Sequence, residues 1–139
     1  MRHWSAGFVG LPWHERGRSR DGVDCWGLVR EVYRQQLGIS LPSYEGEYTD
    51  PHERSETSAI LTGNAAQWPW RPIDAGEQQP FDVIMITRGG VPAHVAIVVD
   101  AAQMLHVAPG ELSRIERYDC GAWRRRIEGF YRHIARVSG

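Results

Sequence analysis

This 139-residue sequence predicts an α+β fold in which helices lie on one side of an antiparallel meander. Three observations carry that prediction. Apolar residues recur at helical spacing between Cys25 and Leu37, short β-branched runs follow only after residue 80, and Gly and Pro punctuate the chain between them. The length fits one domain, residues 1–139, large enough to build its own core.

Taken in order, residues 1–22 carry Pro12 and glycines 7, 10, 17 and 22 and read as loop or short irregular turns. A helix follows from about Cys25 to Leu37. Leu28, Val29, Val32, Tyr33 and Leu37 share one face, with Arg30, Glu31, Arg34 and Gln35 on the other. Asp24 stands at the N-cap and Gly38 at the C-cap. Thr49 or Asp50 before Pro51 predicts a second helix ending near Gly63. Trp68-Pro69-Trp70 and Pro72 mark a loop or edge segment. Val83–Ile86 and Val95–Val99 read as neighbouring buried strands, separated by Arg88-Gly89-Gly90 and Pro92. Gln103–Val107 is a third strand after a turn at Asp100, and Leu112–Tyr118 and Gly129–Ile134 are a fourth and fifth.

Composition narrows the function. At 42% hydrophobic and 24% charged residues the chain is neither disordered nor fibrous. A net charge of -1 gives no field toward nucleic acid. Every basic residue is arginine, and the absence of lysine excludes Schiff-base and P-loop lysine chemistry. Arg124-Arg125-Arg126 reads as a solvated face. Cys25 and Cys120 are too few for a disulfide framework and lack zinc-finger spacing, leaving at most one bridge. Six histidines without HExxH-type spacing predict no metal site. No run approaches 18 apolar residues, so no membrane span is expected. The first ten residues also lack a signal peptide's apolar stretch.

The candidate chemistry lies in Cys25, His94 and His106. Thiolate is the nucleophile, and the first turn of a helix stabilises it through the macrodipole and its amide donors. His94 precedes an apolar strand and His106 ends the next one. Pairing about Asp100 sets them opposite each other, each six residues from the turn. One imidazole then serves as base and the other orients it. Taken singly, a first-turn cysteine is usually a small buried hydrophobe, so the combination carries the argument. Asp24 reads either as a cap or as a carboxylate holding a substrate ammonium.

Gly10-Leu11-Pro12-Trp13, Asp21-Gly22-Val23-Asp24-Cys25-Trp26-Gly27-Leu28-Val29, Phe81-Asp82-Val83-Ile84, Ala93-His94-Val95-Ala96-Ile97-Val98 and Met104-Leu105-His106-Val107-Ala108-Pro109-Gly110 resemble the successive motifs of the NlpC family of cell-wall cysteine peptidases. They follow that family's order and span most of the chain. Trp26 after the cysteine is similar to the branch found among phage tail-assembly proteins and gene-transfer-agent particles. Trp13 stands where the family usually has Tyr, and Trp26 where many members have Ser.

The resemblance implies a papain-like NlpC fold, the nucleophile helix packed on an antiparallel sheet of about five or six strands. It implies Cys25 as nucleophile, His94 as base and His106 as the third polar residue, with no cofactor required. Asp24, Trp13 and Trp26 fall at substrate-binding positions. The substrate implied is the peptidoglycan stem peptide, cut between D-γ-glutamate and diaminopimelate, with Asp24 gripping the free amine of the stem's L-alanine. With no signal peptide expected, such a hydrolase would be injected, carried on a virion or released by lysis, and the family branch implies a virion or phage-like tail tip among hub proteins, opening the wall for DNA delivery. Two other readings remain: a thiol amidase or acyltransferase of the same fold, and a tail-assembly protein that has lost turnover.

Overall fold

A computed structural model of the chain describes residues 3–14, 18–19, 21–41, 70–88 and 91–136. The helix expected between Thr49 or Asp50 and Gly63 lies outside the described residues, as do Trp68 and Pro69. Trp4–Phe8 forms a 3₁₀ turn, followed by a small antiparallel ribbon of β1 (Arg18–Ser19) and β2 (Gly22–Val23). The segment at Trp13 bridges Val23 on the other side of β2. That approach explains Gly22: a Cβ there would lie 2.5 Å from the Cβ of His14, so only glycine fits.

β2 runs directly into α1 (Cys25–Val32), and the helix continues through a widened π-helical turn at Tyr33–Leu37. It ends at Gly38, whose left-handed φ of 66° suits glycine and whose N–H closes onto the Tyr33 carbonyl. The expected helix and both caps are therefore present. Leu28, Val29, Val32 and Tyr33 are buried, and α1 lies against the sheet at β5. Glu31 departs from the expected polar face: it is only 3% exposed. Arg34 Nη2 and Gln35 Nε2 donate to its Oε2 at 2.8 and 2.7 Å, which compensates the carboxylate for lost water.

Among the described residues six strands form one antiparallel sheet: β3 (Trp70–Ile73), β4 (Val83–Arg88), β5 (Val91–Val98), β6 (Gln103–His106), β7 (Arg114–Arg117) and β8 (Ile127–His133). Their order is β3-β8-β4-β5-β6-β7. Consecutive strands β4 to β7 make the expected meander, and β8 returns between β4 and β3. Pro72, which has no N–H to donate, sits on the edge strand β3.

The unbroken apolar runs of β4 and β5 arise because both of their faces are covered. Val83, Met85, Val95 and Ile97 pack with α1, whereas Ile84, Ile86, Ala96 and Val98 join Met104, Tyr118 and Phe130 in a second cluster behind the sheet. A short second helix, α2 (Gly121–Arg126), brings Trp123 to that second cluster. Helices thus flank both faces, not one. The Arg124-Arg125-Arg126 triplet lies in α2, with Arg124 and Arg125 exposed and Arg126 laid over the Trp123 ring.

One ion pair ties β8 to the start of β4. Asp82 is buried, and Arg132 grips it with Nε on Oδ1 and Nη2 on Oδ2, each at 2.9 Å. The Gln79 N–H donates to the same carboxylate at 2.8 Å. Asp82→Ala leaves a largely buried guanidinium uncompensated and is expected to cost about 3 kcal/mol. Urea denaturation measures this as a lower midpoint with the slope unchanged.

Candidate active site

Cys25 is the first residue of α1, half-buried and packed against the core cluster that holds the helix to the sheet. Its position follows from the residue before it. Asp24 is extended (φ -92°, ψ -175°), and its Oδ1 accepts the Gly27 N–H at 2.7 Å. The first-turn amides of a helix point out past its N-terminus, where they favour a thiolate or an oxyanion. Of the two roles read for Asp24, the cap is made. Cys120 is exposed, and no disulfide joins the two cysteines.

His94 and His106 are brought together. Nε2 of His94 and Nδ1 of His106 are 3.1 Å apart, and the two residues are 4% and 0% exposed. The expected register is wrong, however. Ile97 pairs with Leu105 and Val98 with Met104, so Ala96, not His94, falls opposite His106. The reason is the turn. Asp100 opens it, accepting the Ala102 and Gln103 amides on Oδ1, and does not stand at its centre. The imidazoles therefore meet diagonally on one face of the sheet. A register shift between Ile86 and Thr87, beside Pro92, lies just before His94.

That face is the one covered by α2. Trp123 stacks on His94 at 6.3 Å and meets His106 edge-on at 5.0 Å. Beyond His106 stands a residue that sequence reasoning missed: Glu116 on β7 accepts from His106 Nε2. Arg114 Nε also reaches Glu116 Oε2, at 3.1 Å. The only signal in the sequence is the alternation of β7, where inward Ile115 leaves Arg114 and Glu116 on the opposite face. Which histidine that face meets depends on a pairing between strands.

Burial pushes the His106 imidazole below its ordinary value, outweighing the opposing pull of Glu116. Burial alone would raise the Glu116 carboxyl, but its contacts with His106 and Arg114 hold it below the usual carboxylate range. The pair is therefore a neutral imidazole on a carboxylate. His94, His106 and Glu116 form a line of hydrogen bonds and do not converge on a point. No group of three or more His, Cys, Asp or Glu among the described residues is arranged to hold a metal.

The other expected substrate residues divide. Trp13 is half-buried beside β2, next to the strand that delivers Cys25. Trp26 is corrected: it is 3% exposed and lies edge-on to Trp70 in the core, so its indole has no surface to offer a ligand. The residue after the cysteine faces inward because α1 turns that side onto the sheet. Among the described residues no helix is long and apolar enough to cross a membrane.

The sequence model of the NlpC/P60 family matches residues 10–132. The tail tip assembly protein K of Escherichia phage lambda is 35% identical over 121 residues, covering 85% of this chain and 58% of that protein. The murein DD-endopeptidase MepS/murein LD-carboxypeptidase of Escherichia coli K12 is 22% identical over 94% of this chain and 60% of its own length. The chain thus spans little more than half of these relatives. Among solved structures, an NlpC/P60 family protein from Bacillus cereus superposes with a TM-score of 0.67 at 20% identity, covering 94% of this chain and 38% of that one.

Two outcomes are expected from this geometry. Asp24→Ala removes the cap and costs about 1 kcal/mol in thermal unfolding, whereas Asp24→Asn, which still caps, costs little. The second concerns pH. His106 and His133 are both held by burial below the ordinary imidazole value of 6.5, so the unfolded chain takes up protons first on acidification. Their contribution is complete above pH 6.5 and is lost as pH falls through the folded-state values. The melting temperature should therefore drop below pH 6.5, with the ring resonances of both histidines titrating below that point.

Proposed function

This chain belongs to the NlpC/P60 family, and from that membership we propose that it is a cysteine peptidase cutting peptidoglycan stem peptides at the tip of a phage-like tail. The observation that carries the reading is the 3.1 Å His94–His106 hydrogen bond on β5, the strand whose other face packs against the helix headed by Cys25; the reading requires the thiol to reach His94 past the start of that strand. An imidazole with a polar partner at one nitrogen can act as base at the other, and a capped helix start suits a thiolate.

In the proposed reaction the Cys25 thiol passes its proton to His94 Nδ1, and the thiolate attacks the amide carbonyl carbon. The first-turn amides of α1 stabilise the resulting oxyanion. His94 returns the proton to the leaving nitrogen as the C–N bond breaks, leaving a thioester on Cys25. Water then attacks that thioester with His94 again as base, restoring the thiol and freeing the new carboxylate. The bond proposed is that between D-γ-glutamate and diaminopimelate. Asp24 combines its cap with a charge for the free amine of the stem's L-alanine. Trp13, beside β2, lines the approach.

The tail-tip role is supported by the phage lambda relative, and the murein substrate by the Escherichia coli enzyme. On this reading the chain works with tail-tip proteins to open the wall locally for DNA delivery. An inactive assembly component is the competing reading, favoured by the inward-facing Trp26.

Incubation with purified sacculi should release new amino termini, and Cys25→Ala should release none. Equal release by both proteins would falsify catalysis by this thiol. Mass spectrometry of the products should find stems cut internally; whole stems freed from the sugar would instead identify an amidase. At neutral pH Cys25 should react with iodoacetamide much faster than the exposed Cys120, whereas equal rates would favour the inactive reading.

A further inference from the structure

We propose that Glu116 is a positioning residue that sets the tautomers of both buried histidines and leaves Nδ1 of His94 as the basic nitrogen. The argument is one of proton accounting along a line of three groups. A carboxylate has no proton to give, so the contact between Glu116 and His106 Nε2 requires that nitrogen to carry the hydrogen. A neutral imidazole then has only an acceptor at Nδ1. His94 Nε2 lies 3.1 Å from that acceptor and must donate to it. The remaining nitrogen of His94, Nδ1, is left with its lone pair.

The opposite arrangement shows what the carboxylate prevents. Were the neutral His106 to carry its hydrogen on Nδ1 instead, with a lone pair on Nε2 facing the carboxylate, that Nδ1–H would donate to His94 Nε2. The hydrogen of His94 would then sit on Nδ1, where a base needs none. The surroundings favour the first arrangement. Arg114 Nε lies 3.1 Å from Glu116 Oε2 and compensates its charge, while Arg114 Nη1 donates to Glu111. Trp123 covers both rings, stacked on one and edge-on to the other, and restrains their rotation. Burial of His106 keeps its ring neutral in spite of the adjacent carboxylate. Glu116 touches neither Cys25 nor a reacting atom in this scheme; it acts through two rings.

The kinetic part of this inference rests on the proposed peptidase activity; the tautomer part does not. Long-range proton–nitrogen NMR of the uniformly labelled chain at neutral pH reads each ring directly. Both histidines should show hydrogen on Nε2 in the native protein and in Glu116→Gln, whose carbonyl oxygen still accepts. Glu116→Ala should give mixed tautomers at both rings. A neutral ring carrying its hydrogen on Nδ1 in the native protein overturns the proposal without any variant, as do unchanged rings in a folded Glu116→Ala.

On sacculi-derived muropeptides, Glu116→Ala should lower kcat roughly tenfold with KM unchanged, part of the 10²–10⁴ that general acid–base transfer contributes. Glu116→Gln should restore most of it, and equal loss in both variants overturns the tautomer role. If the native protein cleaves nothing, the peptidase reading falls while the NMR measurement still decides the role of Glu116.

Discussion

The molecule depends on two strands that bury both of their faces. Residues 83–86 and 94–98 carry side chains that are almost wholly removed from water on either side of the sheet. Such strands are stable only if both faces are covered. The amphipathic helix headed by Cys25 covers one, and the ring of Trp123 with its apolar neighbours helps cover the other. Because β5 is held from both directions, His94 within it is held as well. The candidate site thus takes its rigidity from the core and not from a loop of its own.

Burying two imidazoles and a partly buried carboxylate in such a core is costly unless every polar atom finds a partner. The line from His94 through His106 to Glu116 answers that requirement and ends at Arg114, on the edge strand β7 where water is available. The same arrangement has a chemical consequence. A carboxylate at one end dictates donors and acceptors along the whole line, so structural satisfaction and the basicity of one nitrogen are the same fact. The buried Asp82–Arg132 pair has no such second use; it closes β8 onto β4 and positions the strand that separates β3 from the rest.

Local signals in the chain were enough for several features. Asp24 and Gly38 bound the helix because a cap requires only a side chain and an amide three residues away, or a left-handed φ that glycine adopts freely. The apolar runs at Val83 and Val95 declared buried strands, and Pro72 a loop or an edge. The nucleophile candidate and the two histidines were equally visible, as was the family whose motifs they share. Helix spacing and strand alternation are short-range properties, and residue type alone proposes chemistry.

Other features came from contacts between distant segments. The alternation of β8 does not say that it pairs between β3 and β4, since ladder hydrogen bonds are made by backbone groups common to all residues. A turn that begins at Asp100 instead of centring on it moves the pairing by two positions, replacing direct opposition of the histidines with a diagonal contact. Trp26 stands three and seven residues before Val29 and Tyr33, the spacing of the buried helix face, but Glu116 carries no mark in sequence of touching His106. That contact was decided when β7 settled on β6. The sequence by itself determined the elements and the reactive residue types, because these depend on neighbours along the chain. Tertiary structure alone decided which nitrogen meets which oxygen, because hydrogen bonds require partners within about 3 Å and such distances exist only after folding.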